Sequence, residues 1–145
     1  LVLARPDLGQ RSRMIDRQAI RRTAESLISE FDIQCSGPDA PMWSLSGGNQ
    51  QRVVLAREMA GGPVVVVACQ PTRGLDVGAI EYMSARLRRA ADEGVGVLLI
   101  SSELDELLSL SDRIVVMYRG RIVGEMDRGS IDMERLGMLM GGVTA

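Results

Sequence analysis

The chain has 145 residues, 46% of them hydrophobic and 25% charged, with a formal net charge of -2. This is enough for one ordinary domain with a real core, and the near-neutral charge gives no general pull toward nucleic acid or an anionic membrane. There is no His, which excludes a His general base, a His-ligated metal and a Ser-His-Asp triad.

Leu1 to Arg13 is mixed and Arg-rich, with Pro6 and Gly9 breaking any regular pattern. Asp16 is the expected N-cap of a helix through Phe31. Its apolar residues Ile20, Ala24, Leu27, Ile28 and Phe31 form one buried stripe at helical spacing. Gln34 to Trp43 holds Gly37, Pro38 and Pro41 and reads as a loop. A second helix should begin after Gly48 and stop near Ala60, ahead of Gly61-Gly62-Pro63. Val64 to Ala68 is a continuous apolar run, expected to be a strand buried on both faces of a parallel sheet, with Cys69 buried at its end.

Gln70 to Gly78 reads as a turn into a third helix from about Ala79 to Ala91. Gly96 to Ile100 is a second buried strand, and Glu103 to Leu110 a short helix. Arg113 to Met117 and Arg121 to Gly124 flank Tyr118-Arg119-Gly120 as a hairpin, and Asp132 to Met140 closes the chain as a small helix. Met126, Met133, Met138 and Met140 are expected to be packing residues. Strand-helix-strand alternation gives an α/β fold with parallel strands. Cys35 and Cys69 have no metal-site spacing and fit a reducing compartment. The apolar runs fall well short of the roughly 18 residues needed to cross a bilayer, and no signal peptide is visible.

Three constellations carry chemistry. In Leu45-Ser46-Gly47-Gly48-Asn49-Gln50-Gln51-Arg52, two glycines let backbone amides approach an anion. Ser46 adds a hydroxyl, and the helix N-terminus adds partial positive charge. Taken alone, such a loop reads first as a polar turn capping a helix. The second is the apolar strand followed by Cys69-Gln70-Pro71-Thr72-Arg73-Gly74-Leu75-Asp76, and the third is Val97-Leu98-Leu99-Ile100-Ser101-Ser102-Glu103-Leu104 ahead of Ser111-Asp112-Arg113-Ile114.

In this order, the three resemble the signature loop, Walker B strand with D-loop, and switch strand of ABC-transporter ATPases. Leu45 to Gln51, Pro71-Thr72-Arg73-Gly74-Leu75-Asp76-Val77-Gly78-Ala79 and the ending Leu136-Gly137-Met138-Leu139-Met140-Gly141-Gly142 are similar to simple-sugar importers, and Gln70 to Gly74 to the C-terminal ATPase domain of nucleoside-type importers. The resemblance implies the C-terminal part of a P-loop NTPase domain. Residues 1–60 would be the helical subdomain ending in the signature loop and its helix, and 61–145 the remainder of the ATPase core. No Gly-x-x-x-x-Gly-Lys-Ser/Thr occurs and the chain has no Lys, so the P-loop is expected to precede Leu1 in a longer polypeptide.

What the resemblance implies about roles divides the residues in two. Ser46, Gly47, Gly48 and Asn49 would bind ATP held by a second ATPase domain, and Asp76 of the D-loop would meet that domain. Cys69, Gln70 and Ser102 would stand at this domain's own site, where the family carries a Mg²⁺-binding Asp, a Glu and a His. A thiol is a poor ligand for hard Mg²⁺, an amide cannot accept a proton, and a hydroxyl cannot act as a cation. No catalytic residue is therefore assigned in this chain, and its own site is expected to be degenerate. The implied cofactors are ATP and Mg²⁺ in the assembled protein. Implied partners are the second ATPase domain, transmembrane permease subunits and, indirectly, a substrate-binding protein, at the cytoplasmic face of the membrane and with no nucleic acid. Two alternatives stay open at this point: an inactive regulatory module of ABC type, and a soluble ABC ATPase outside transport.

Overall fold

Asp16 starts the first helix of the computed structural model, which describes residues 16–143. Its carboxylate accepts the amides of Gln18 and Ala19, both at 3.0 Å. These are donors that a first helical turn leaves without intrahelical acceptors. Helix α1 spans Arg17–Glu30. Ala24, Leu27 and the following Phe31 are buried, with Ile20 and Ile28 half-buried, so the expected stripe faces inward. The Arg-rich stretch read from Leu1 to Arg13 lies outside the described residues.

After a single 3-10 turn at Met42–Ser44, helix α2 runs Gly47–Met59. It starts earlier than its glycines suggested, because Ser46 is already the N-cap. Strand β1 covers Val65–Cys69, helix α3 Val77–Asp92 and strand β2 Gly96–Ile100. β1 and β2 are sheet neighbours. The Gly96 amide donates to the Val64 carbonyl at 2.9 Å, so the strands begin side by side and run in the same direction, with α3 as the crossover. Ala79, Met83, Leu87 and Ala90 give α3 a buried stripe.

Burial on both faces of β1 is not what the structure has. Val66 and Ala68 are buried, whereas Val65 and Val67 are 59% and 61% exposed and Cys69 is exposed as well. Alternate side chains leave a strand on opposite faces, and among the described residues only one face is covered. Cys69 falls on the open side, so it is not the buried strand-end residue expected.

The chain divides into two compact units, Leu1–Leu98 and Leu99–Ala145. In the second, β3 (Arg113–Tyr118) pairs antiparallel with β4 (Arg121–Asp127), from Arg113 opposite Asp127 to Tyr118 opposite Arg121. Arg119 and Gly120 turn the hairpin with φ of 47° and 77°, the left-handed pair whose twist matches its strands. The register slips between Val116 and Met117, leaving Val123 as the extra residue of a bulge. Ile114, Val116 and Met126 form the unit's core with Leu136 and Leu139 of α5 (Met133–Met140). Leu104, Leu107 and Leu108 of α4 (Leu104–Leu110) pack against it. Of the four methionines expected to pack, only Met126 does. Met133, Met138 and Met140 are about half exposed, because the buried stripe of this short helix is Leu136 and Leu139.

Gly142, just after α5, has φ 81°, and a Cβ there would run into the Tyr118 ring. Both the backbone and the space demand glycine. Gly142→Ala should cost roughly 1–3 kcal/mol, read as a lower denaturant midpoint with an unchanged m-value.

Candidate functional site

Ser46 is extended (φ -63°, ψ 157°) and caps α2. Its Oγ accepts the Asn49 amide at 3.4 Å and the Asn49 Nδ2 at 3.0 Å. Gln50 Nε2 donates to the carbonyls of Met42 and Leu45, both at 3.1 Å, and so folds the preceding turn against the helix start. The amides of Gly47 and Gly48 are first-turn donors with no intrahelical acceptor, and they carry the positive end of a 13-residue helix.

The two glycines have different reasons to be there. A Cβ on Gly47 would meet nothing within 4 Å, so its surface is open to a ligand. A Cβ on Gly48 would lie 3.0 Å from the Cβ of Ala79. Gly48 therefore lets the start of α2 approach the start of α3 closely. Ser46 and Gly47 are exposed, and Gly48 and Asn49 half-buried.

Asp76 caps that neighbouring helix, its Oδ1 accepting the Ala79 amide at 2.9 Å. The turn before it is closed by Arg73 donating to the Gln70 carbonyl at 3.3 Å and Leu75 donating to the Thr72 carbonyl at 3.2 Å. Gln70 and Gly74 hold φ of 50° and 73°, and Thr72 is buried. Cys69 at the end of β1 is exposed. Ser102 belongs to the second unit, exposed in the short connection from β2 to α4, where Glu103 donates its amide to Ser101 Oγ at 3.0 Å. The structure thus gathers Ser46, Gly47, Gly48 and Asn49 at one helix start and places Cys69, Gln70 and Asp76 around the β1–α3 turn. Among the described residues no cluster of three or more His, Cys, Asp or Glu side chains could hold a metal ion. Nor is any helix among them long and apolar enough to cross a membrane.

Two residues without a sequence-assigned role brace the signature helix. Arg52 Nη1 donates to the Asp32 carbonyl and to its Oδ2, both at 2.6 Å, and its guanidinium lies 3.7 Å over the Tyr82 ring. Gln34 donates its amide to Asn49 Oδ1 at 2.8 Å. Asn49 and Arg52 are three residues apart and share a face of α2, a signal present in the sequence. Gln34 offered none.

The hydrogen bond from Arg52 holds the Asp32 carboxyl below its ordinary value of 3.8, with Gln34 adding a second bond. A lowered folded-state pKa means the pair stabilises fully above the ordinary carboxylate range and loses that effect as pH falls through the folded value. Asp32 has φ 49°, which Asn also tolerates. Asp32→Asn should therefore lower the thermal midpoint slightly at pH 7, and the two proteins should converge as the pH falls below the ordinary carboxylate range. Because Asp32 is solvent-exposed, added salt should shrink the gap.

No protein-family model matches the chain. Curated relatives do. It is 48% identical over 128 residues to the nucleoside import ATP-binding protein NupA of Lactococcus lactis, covering 88% of this chain and 25% of that protein. It is 44% identical over 123 residues to the guanosine import ATP-binding protein NupO of Bacillus subtilis, covering 85% and 24%. To the ribose import ATP-binding protein RbsA 2 of Rhizobium meliloti it is 41% identical over 130 residues, covering 90% and 25%. The chain thus spans about a quarter of the length of these relatives. Among solved structures, the dimeric post-hydrolysis state of the ATP-binding cassette MJ0796 bound to ADP and Pi matches with a TM-score of 0.68 and 25% identity, over 81% of this chain and 50% of that one. The ATP-binding cassette MJ1267 matches with a TM-score of 0.71 over 93% and 54%, its 19% identity speaking for the fold alone.

Proposed function

This chain belongs to the ABC-transporter ATPase family, and we propose that it is part of the ATP-binding subunit of an importer for simple sugars or nucleosides. Its part in the ATPase is to lend the signature loop to ATP held by a second ATPase domain. The observation that carries this reading is the open helix start at Ser46–Gly47, where a hydroxyl and first-turn amides stand beside open space, the arrangement that suits a phosphate. The kinship to import ATP-binding proteins supports the importer assignment, and the dimeric state of MJ0796 supports a paired cassette.

When bound, ATP supplies the phosphoryl group whose transfer to water drives transport. The residues of this chain hold and orient it from the far side. Ser46 donates its hydroxyl, and Gly47 and Gly48 their amides, to phosphate oxygens, with Asn49 beside them in the loop. Such preorganised donors matter most where charge builds during transfer. Asp76, fixed by its cap on α3, faces the second domain at the same junction. Permease subunits complete the machine, with this chain peripheral on the cytoplasmic face of the membrane and a substrate-binding protein acting through the permease.

The residues at this domain's own site fit Mg²⁺ poorly. Cys69 presents a thiol where a hard cation prefers carboxylate oxygen, and the Gln70 amide cannot take a proton from water. Ser102 lacks the cationic form that a His would offer. This chain therefore contributes binding and orientation to the partner's ATP, and its own site turns over little or nothing.

Turnover in the assembled ATPase separates the two roles. Ser46→Arg fills the open helix start and should remove nearly all ATP hydrolysis, whereas Gln70→Ala should leave the rate within about twofold, since no general base is lost. Full activity in Ser46→Arg would show that the loop does not serve a partner's ATP.

A further inference from the structure

We propose that Asn49 is a positioning residue that turns the Ser46 hydroxyl into an obligate hydrogen-bond donor, under the control of the backbone at Gln34. The inference rests on the proposed role of the signature loop and specifies how its hydroxyl is aimed. It begins from donor and acceptor capacity. The Gln34 amide can only donate, and it lies 2.8 Å from the Asn49 side chain, so the atom facing it must be the amide oxygen. The other end of the Asn49 side chain is then the NH₂ group, which can only donate, and it sits 3.0 Å from Ser46 Oγ. The Asn49 backbone amide, also a pure donor, approaches the same oxygen at 3.4 Å.

A serine hydroxyl has two acceptor lone pairs and one proton. Both acceptor positions of Ser46 are turned toward Asn49, so its proton is left for a group outside the loop. That group has to be an acceptor. A phosphate oxygen qualifies, while an ammonium or an amide N–H does not. Ser46 is exposed and the space beside Gly47 is open, so an anion can reach the proton. The chain of contacts therefore runs from the Gln34 N–H through Asn49 to Ser46 Oγ–H and on to the anion. Its origin lies just beyond α1, where Asp32 is held by Arg52 of α2, the helix that carries Asn49. A shift of the segment Asp32–Gln34 relative to α2 would release the Asn49 amide, free the hydroxyl to rotate, and weaken the loop's grip on phosphate.

Asn49→Asp tests this with almost no change of shape. The carboxylate still accepts the Gln34 amide, but it cannot donate to Ser46. It accepts the serine proton instead and turns the hydroxyl away from the anion. Steady-state ATP hydrolysis would be measured on the assembled ATPase containing Ser46→Ala, Asn49→Asp, or both. Each single variant is expected to lower kcat/KM by about 10–100-fold, the loss of one hydrogen bond to a charged group. The double variant should be no worse than either single one, because both remove the same bond. A purely structural role for Asn49, or simple repulsion by the new charge, would instead give losses that multiply. Multiplied losses, or an Asn49→Asp enzyme of normal activity beside an impaired Ser46→Ala, would overturn the relay alone. A fully active Ser46→Ala would overturn the proposed function together with it. If Asn49→Asp fails to assemble, Asn49→Ala is read the same way, with a smaller loss that Ser46→Ala must again absorb.

Discussion

The C-terminal end of α1 is the point on which the first unit depends. A helix end leaves carbonyls without intrahelical donors, and here each one from Leu27 to Asp32 is met. Phe31, Ile33 and Asp32 supply backbone amides to Leu27, Ile28 and Ser29. The next three carbonyls are met by side chains from other helices: Glu30 by Arg86, Phe31 by the Tyr82 hydroxyl at 2.7 Å and Asp32 by Arg52 at 2.6 Å. The same donors stack, with Arg52 over Tyr82 at 3.7 Å and Arg86 over Phe31 at 4.5 Å. Charge-assisted bonds and cation–π contacts at one place tie α1, α2 and α3 together.

Fixing α2 at Arg52 fixes the direction of its N-terminus, and the signature loop inherits that aim. The Gly48–Ala79 approach adds a second constraint at the loop itself, so α2 is held at its start by α3 and one turn further along by the segment after α1. A rigid start matters because donors that are already oriented need not be reorganised when charge develops on a bound anion. Under the proposed function, motion of α1 relative to α2 reaches the loop through two side chains three residues apart, without any need to deform the helix.

Local rules made the elements readable. Asp16 and Asp132 cap helices at the positions their neighbours demand, and the hairpin follows from flanking apolar strands, although Tyr118, read as part of the turn, pairs with Arg121 and leaves Arg119-Gly120 alone to turn it. The stretch Leu45–Gln51 carried its resemblance only in company with the two later constellations, since alone it reads as a turn capping a helix. Contacts across the sequence were not legible. Arg86 and Tyr82 reach carbonyls more than fifty residues away, and nothing local marks them as caps rather than surface residues of α3. The valine run misled in an instructive way: five apolar residues encode a strand that can be covered on both faces, but cover itself comes from other segments. Val65 and Val67 remain exposed, so half of that strand's hydrophobic potential is unused among the described residues.

Under the proposed function, the turn after β1 shows how a site can lose its chemistry and keep its scaffold. The hydrogen bonds that close it run through the backbone of Gln70, Thr72, Arg73 and Leu75, and the helix it feeds is capped by Asp76. Cys69, at the exposed strand end, carries none of these bonds. The side chain at position 69 can therefore change without disturbing the turn, whereas moving Asp76 or Ala79 would disturb α3 and, through Gly48, the start of α2. Under the proposed function, geometry for the partner's ATP and chemistry for the domain's own ATP are held by different atoms. On that reading, the separation lets a chain with an impaired site of its own serve as half of another.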